Sequence, residues 1–455
     1  MNGIGIMNSV IKSEVEQYQN KHKKSIALWE KAQHQFPAGV SHNIRDFHMS
    51  HFGLSPPFIK KSYDSKLVDV DDNTYTDYWI THGAAILGHA HPAVIKAIKK
   101  QLPFGNHFGM VNELALNLAE RIIDATPSIK ELRFCTTGTE ATMYASRLAR
   151  AFTGKEKIAK VKGGWHGGND TLFYYVKEVK HGSESKGIQS HDEAGILSFD
   201  YNDIEGAKKI IKENKNELAA VVMEPVLGAG GAIPPKEGFL EAIREETEKN
   251  DILLIYDEII TGFRLAYNSA QGFFGVTPDI TTMGKIVGGG TPIGIIGGRE
   301  DILEQANLQK GGEVWIVGGT FSGNPVSMAA GIATLDSLKK GGKKLYSDLN
   351  SIGEKLRISI REIVEEYKVP AFVTGVGSMI SIHWFKEKQE KVENSTKIKV
   401  SLDSEKVANY QLLMLNRNIL TRGGLGYLSI KHNELDVEKT LNAIDEAARI
   451  IRNGI

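Results

Sequence analysis

An α/β fold with a buried, mostly parallel sheet, helices on both faces and a smaller α+β unit behind it is what this chain predicts. Three observations carry the prediction. The short apolar runs IAKVKGG, AAVVMEP and ILLIYDE are rich in β-branched residues and end in polar residues or glycine, as strands covered on both faces do. Between them, EATMYASRLARAF, EGFLEAIREETEKN and NPVSMAAGIATLDSLKK carry apolar residues at helical spacing, and this alternation builds crossover units on a parallel sheet. At 455 residues the chain is also long enough for about two to three domains with a full core.

In chain order, residues 1 to about 35 predict a helix in which Val15, Tyr18, Ile26, Leu28 and Trp29 sit among charges, until Pro37-Ala38-Gly39 ends it. An arm follows, with two strands, Leu67 to Val70 and Tyr75 to Trp79, around the turn Asp71-Asp72-Asn73. We assign 1–75 to this helix and arm, 76–332 to the large α/β domain and 333–455 to a small C-terminal α+β domain. The last contains the helices KLYSDLNSIGEKLRISIREIVEEY and DVEKTLNAIDEAARIIRN around strands such as those in AFVTGVGSMISIHW. FKEKQEKVENSTKIKV reads as a charged, solvated loop, and no internal repeat or low-complexity tract interrupts the chain.

Lys+Arg and Asp+Glu are equal at 55 each, so no charge bias points to nucleic acid or a membrane surface. A small-molecule partner is expected. The single cysteine, Cys135, excludes an internal disulfide framework and a cysteine metal cluster, and suits the reducing cytoplasm. The first residues lack the basic-then-apolar order of a signal peptide, and no apolar run approaches a membrane span.

Chemistry concentrates in a few places. Lys285, in DITTMGKIVGGG, lies between an apolar run and glycines; a lysine there is exposed, paired, or depressed toward the neutral amine that can hold an aldehyde. The strand ILLIYDEII ends on Asp257 and Glu258. A carboxylate at the end of a buried strand is a helix cap, a loop ligand, or the partner that keeps a pyridinium ring protonated. Thr137, Gly138 and Thr139 precede a helix with Glu140 in its first turn, which is either a plain cap or an anion site; Gly319, Thr320 and Ser322 offer a second such place. Trp165, among the glycines of GGWHGGND, packs in a core or offers a flat face to a ring.

The order of these motifs resembles the class III, fold type I pyridoxal-phosphate aminotransferases, most closely the glutamate-1-semialdehyde 2,1-aminomutase subgroup. FPAGVSHNIRDF, YTDYWITHGAAILGHAHPAV, TTGTEA, GWHGGND, VVMEPV, LLIYDEIITGFR, GKIVGGGTPIGIIGGR and GGTFSGNP carry the resemblance across nearly the whole chain. It implies pyridoxal 5'-phosphate as cofactor, held as a Schiff base by Lys285, which also shuttles a proton, with Asp257 on the ring nitrogen. It further implies phosphate contacts from Thr137, Gly138 and Thr139, a ring-stacking Trp165, His166 beside it, and Glu224 ordering the pocket. Thr320 is expected to reach the phosphate of a neighbouring subunit, making the site a property of a homodimer.

On the substrate side, Arg45 aligns with the family's carboxylate-binding arginine and His82 takes the place of a tryptophan. Thr136 in TTGTEA, His42 in GVSHNIR and Arg422 in LTRGGLGYLS also depart from the aminomutase pattern. Those departures favour an aminotransferase working between a carboxylate-bearing amino compound and an oxo acid. The alternative is the intramolecular aminomutase, which gives 5-aminolevulinate. A family-fold protein without activity is a third reading, opposed by the intact Lys285, Asp257 and phosphate motifs.

Overall fold

The computed structural model describes residues 9–177, 184–189 and 193–453. Within the described residues the amino-terminal segment forms two helices, Ser9–Lys21 and Lys23–Gln35, where one was expected. His22 divides them. Its ring turns inward, Nδ1 lying 2.7 Å from the Tyr18 carbonyl and Nε2 2.5 Å from the Tyr75 hydroxyl, and its backbone leaves helical geometry at ψ 36°. Tyr18 and Trp29 are buried as their spacing predicts, whereas Leu28 faces solvent.

The arm carries β1 (Ile59–Tyr63), β2 (Lys66–Asp69) and β3 (Thr74–Asp77). The last stops short of the predicted Trp79 because the Asp77 carboxylate accepts the N–H groups of Trp79 at 2.8 Å and Ile80 at 3.1 Å, bending the chain away.

The large sheet comprises β4 (Glu131–Cys135), β5 (Lys157–Val161), β6 (Ile196–Phe199), β7 (Leu218–Met223), β8 (Leu253–Glu258), β9 (Ile280–Gly284) and β10 (Gly294–Gly298). Their order is β4-β10-β9-β8-β7-β5-β6, with β10 antiparallel to both neighbours and every other pair parallel. Strand alternation explains the cover on both faces. Ala220, Val222, Leu253 and Ile255 share a core with Ala141 and Leu148 of helix Gly138–Thr153. Their neighbours Val221, Met223, Leu254 and Tyr256 pack with Ile211 and Ile243 of helices Ile204–Glu213 and Phe239–Lys249.

Helix Pro325–Tyr367 runs through residue 332 and kinks at Gly342, where φ is 57°. Beyond it lie β11 (Ala371–Thr374), β12 (Met379–Trp384), β13 (Ile419–Leu420) and β14 (Leu425–Tyr427). Three of these form a small antiparallel sheet, β11-β12-β14, while β13 pairs in parallel with β3 and ties this end of the chain to the arm. The segment expected to be a solvated loop contains a helix, Ser395–Ser401, capped by Asn394, and buries Val392 and Ile398. Two apolar residues among many charges suffice to dock it. Among the described residues no helix is long and apolar enough to cross a membrane.

Candidate active site

Strands β4, β5, β7, β8 and β9 direct their carboxyl ends to one region, where open α/β sheets bind ligands. A cavity of about 350 Å³ lies there, lined by Thr137, Gly138, Thr139, Trp165, His166, Glu224, Asp257 and Lys285 among others. Eight positions singled out along more than a hundred residues of sequence thus share one space.

Asp257 closes β8 and is buried. Its Oδ2 lies 2.7 Å from His166 Nδ1, and its Oδ1 accepts the Ile259 N–H at 3.0 Å and the Thr282 hydroxyl at 3.3 Å. Burial holds His166 below its ordinary pKa although the Asp257 carboxylate pulls it up, and the other ring nitrogen, Nε2, is buried with no partner.

Lys285 follows β9 directly, and its backbone is left-handed, with φ 49°. A side chain forced into that region marks a functional constraint. Burial lowers its ammonium to about 8, while the carboxylates of Asp257 and Glu224 pull upward and Arg264 presses further down. The adjoining glycines allow close approach: a Cβ on Gly289, at φ 57°, would stand 2.7 Å from the Ala330 carbonyl. Glu224, just past β7, accepts the N–H groups of Trp165 at 3.2 Å and Gly228 at 3.0 Å. Burial, then the nearby Asp257 charge, raises it to about 8.

The helix start is a full capping box. Thr137 accepts the Glu140 N–H at 3.2 Å, and the Glu140 carboxylate takes the N–H groups of Thr136 at 2.6 Å and Thr137 at 3.0 Å. The cap therefore consumes the hydroxyl of Thr137 and leaves the N–H groups of Gly138 and Thr139 for an anion. The Thr139 hydroxyl accepts the Gly168 N–H at 3.3 Å, linking the cap to the Trp165 loop. Trp165 itself is 39 % exposed, its indole edge-on to Phe173. Thr320 does not line this cavity. It is exposed in a larger, open groove beside Phe108, Met110 and Val111.

His42, Arg45, Trp79, His82 and Arg422 do not line this cavity; they form an irregular region beside it, close enough for the charge of Lys285 to act on His82. Ile80, Thr81, His82 and Gly83 have φ of 44°, 50°, 58° and 83°, one turn of left-handed helix. Each non-glycine residue there costs about 1–2 kcal/mol, and Ile80 and Thr81 are β-branched. The turn stacks His82 on His42, with ring centroids 5.6 Å apart and planes 11° apart, and sets it 4.7 Å from the Trp79 ring. Burial lowers His82 to about 4, and the positive charges of His42, Lys285, Arg45 and Arg422 add to the fall. Among the described residues no carboxylate pairs with the exposed Arg45 side chain, and the Arg422 guanidinium lies 5.8 Å over the Trp79 ring. Sequence reasoning singled out Arg45 and His82 but missed Trp79 and the buried Arg264. The cation inside the apolar run IITGFRLAY was the signal for Arg264.

Comparison with known proteins agrees with this geometry. The family model for aminotransferase class-III matches residues 51–407. The glutamate-1-semialdehyde 2,1-aminomutase of Methanosarcina acetivorans is 43% identical over 93% of this chain and 98% of its own length. The protein of that name from Methanocaldococcus jannaschii is 41% identical over 94% and 98%. Among solved structures, an omega-transaminase from Sphaerobacter thermophilus superposes with a TM-score of 0.86 at 31% identity, covering 94% of this chain and 98% of its own. With its strand-end lysine and carboxylates and its capped helix on a mostly parallel sheet, the chain belongs to the class-III aminotransferase family.

Proposed function

We propose that the protein is a pyridoxal-phosphate enzyme that moves the amino group of glutamate 1-semialdehyde to the neighbouring carbon, giving 5-aminolevulinate. The observation that carries this choice is likeness to relatives of that name over 98% of their length. It favours the intramolecular reaction over the transfer to a separate oxo acid that the pocket departures suggested.

The cavity suits the cofactor. It offers uncommitted N–H groups at a helix start, a buried carboxylate held by His166 and an exposed indole face. When bound, pyridoxal 5'-phosphate supplies an aldehyde for the amine and a ring that absorbs the electron pair of the adjacent carbon. Gly138 and Thr139 hold the phosphate through their N–H groups, with Thr137 shaping the cap. Asp257, fixed by His166, faces the ring nitrogen and stabilises its positive charge. Trp165 would offer its exposed face to the ring, and Glu224 keeps that loop in place through the Trp165 N–H. With an ammonium lowered to about 8, Lys285 is partly neutral near physiological pH and can take a proton from the substrate carbon and return it. Arg45 grips the substrate carboxylate as a planar fork, with His82 walling the same side.

The working form is a homodimer whose sites are shared, Thr320 serving the phosphate of the partner subunit. Val111 at 95 % exposure, Met110 at 76 % and Val317 at 71 % line the open groove with Thr320, and an apolar patch of this kind suits a second copy. Cys135 as the single cysteine of the chain suits a cytoplasmic setting.

A second reading keeps the same machinery but passes the amine to an oxo acid. Arg422 favours it, since the charges of Arg422 and Arg45 both act on His42 and His82 and a second guanidinium in that region can hold a further carboxylate. The test is product analysis with glutamate 1-semialdehyde alone against an amino acid plus oxo acid: turnover only in the second mixture retires the aminomutase reading.

A further inference from the structure

Arg264 is wholly buried, yet no carboxylate pairs with it; the groups that raise its pKa against burial are the phenols of Tyr427 and Tyr346. A buried charge without an acid partner is costly and is retained where it does something else. Its donors go to three separate stretches of chain. Nη2 donates to the Gly83 carbonyl, and Nη1 donates to the Ser378 hydroxyl at 3.2 Å and the Leu428 carbonyl at 3.4 Å. The guanidinium also lies 5.0 Å over the Tyr427 ring, which a Cβ on Gly83 would touch at 3.4 Å.

Gly83 ends the left-handed turn. Its N–H bonds the Trp79 carbonyl at 2.9 Å, and those of Ala84 and Ala85 bond Thr81 and Ile80 at 3.2 Å each. These local bonds alone do not offset three non-glycine residues in a disfavoured region, so the turn needs holding from outside. Asp77 holds its beginning through the N–H groups of Trp79 and Ile80. Arg264 stands at its end.

We propose that Arg264 is a positioning residue: by clamping the Gly83 carbonyl to Ser378 and Leu428 it holds the left-handed Ile80–Gly83 turn that carries His82 within electrostatic reach of Lys285. The clamp joins the segment after β8, the turn after β3 and the loops flanking β12 and β14, alongside the bonds from the Tyr427 N–H to the Tyr78 carbonyl at 2.6 Å and from the Leu428 N–H to the Ser378 carbonyl at 2.9 Å. Shifts in the C-terminal unit are thereby passed to the turn that carries His82. The inference rests on the proposed reading of the Lys285 cavity only in taking His82 to face substrate.

Two measurements test it. The first is hydrogen exchange of the Gly83, Ala84 and Ala85 amides in the substrate-free protein, for wild type, Arg264→Lys, Arg264→Gln and Ser378→Ala. Lysine keeps the charge but loses the fork, and Ser378→Ala removes one anchor while leaving Arg264 in place. We expect exchange at these amides to rise roughly tenfold or more in the Arg264 variants and by less in Ser378→Ala, with the helix Gly138–Thr153 unaffected. If the Arg264 variants do not fold, Ser378→Ala decides. Unchanged exchange at residues 83–85 in the folded variants overturns the clamp.

The second is a double-mutant cycle on the KM for glutamate 1-semialdehyde. Arg264→Lys should raise KM several-fold in wild type and have almost no effect in His82→Ala, because it acts through that ring. An equal rise in both backgrounds assigns Arg264 a general structural role and overturns the proposal. His82→Ala with unchanged KM, alongside raised exchange in Arg264→Lys, would instead remove His82 from the substrate wall and leave the clamp standing.

Discussion

Of the groups proposed for the cofactor, Asp257, Glu224, Lys285 and Gly138 sit at the end of a strand or the start of a helix, while Trp165 and His166 lie on a loop; those proposed for the substrate ride on a left-handed turn and on loops. Asp257, Glu224, Lys285 and Gly138 are placed by β8, β7, β9 and the helix after β4. Their spacing is set by the sheet, and His166 on Asp257 and the Trp165 N–H on Glu224 fix the two carboxylates further. His82, Arg45 and Arg422 have no such frame. They are held by stacked rings, by Asp77 and Arg264, and by the tight pairing of Arg422 with Leu425, whose N–H and carbonyl groups exchange bonds at 3.0 Å. The rigid side suits chemistry common to a family, and the tethered side can be altered residue by residue to change the substrate.

The largest expected effect breaks the cofactor side alone. Lys285→Ala should abolish turnover while leaving the fold and the phosphate anchors, so the cofactor still binds but is no longer attached. Borohydride reduction followed by peptide mapping should place the attachment in the wild type on Lys285; attachment elsewhere contradicts the assignment. Asp257→Asn should follow, lowering kcat on the order of 10²-fold or more with a smaller loss of cofactor affinity, as removal of a charge-stabilising group does.

The substrate side should respond selectively. Arg45→Ala should cost about 2–4 kcal/mol, roughly 30- to 1,000-fold in kcat/KM, for carboxylate-bearing substrates at ~1.4 kcal/mol per decade. A decarboxylated amine should be indifferent, and Arg45→Lys should not rescue. Equal losses for the acid and the amine would reduce Arg45 to a structural part. Between the two sides stands the proposed dimer. Co-expressed Lys285→Ala and Thr320→Ala chains should recover one largely intact site per heterodimer, and no activity beyond that of the separate variants would sink the shared site.

The smallest effect is on stability. Glu224 is raised to about 8 from an ordinary 4.5, so the folded protein keeps a proton that the unfolded chain releases. Wild-type stability at this group therefore falls as pH rises from about 4.5 to about 8. Glu224→Gln removes that titration. Measured without cofactor, its Tm relative to wild type should climb across the window; a constant difference would mean that Glu224 titrates normally.

The same contrast explains what the sequence could show. Strand-end acids, the capping box and the glycine-flanked lysine are local patterns with period and chemistry of their own, and Asp257, Lys285 and Thr137–Thr139 were visible for that reason. The left-handed turn was not, because ITHG has no glycine before its last position and three of its residues disfavour the conformation they adopt. The Asp77 carboxylate at its start and Arg264 at its end add to its own backbone bonds in holding it. His22 and the helix Ser395–Ser401 escaped similarly: an inward histidine and two buried apolar residues among charges depend on partners distant in sequence. Trp79 was read as the end of a strand and is instead the aromatic floor under His82 and Arg422.

The account turns on whether the amine stays on one molecule. Purified, cofactor-loaded protein should be incubated with glutamate 1-semialdehyde in the absence of any oxo acid or added amino donor, and 5-aminolevulinate measured over many turnovers. We expect sustained formation, undiminished by omission of oxo acid and dependent on Lys285. Formation that stops after one equivalent of enzyme, or that begins only when an oxo acid is supplied, would contradict the aminomutase reading and assign the site to transfer between separate partners.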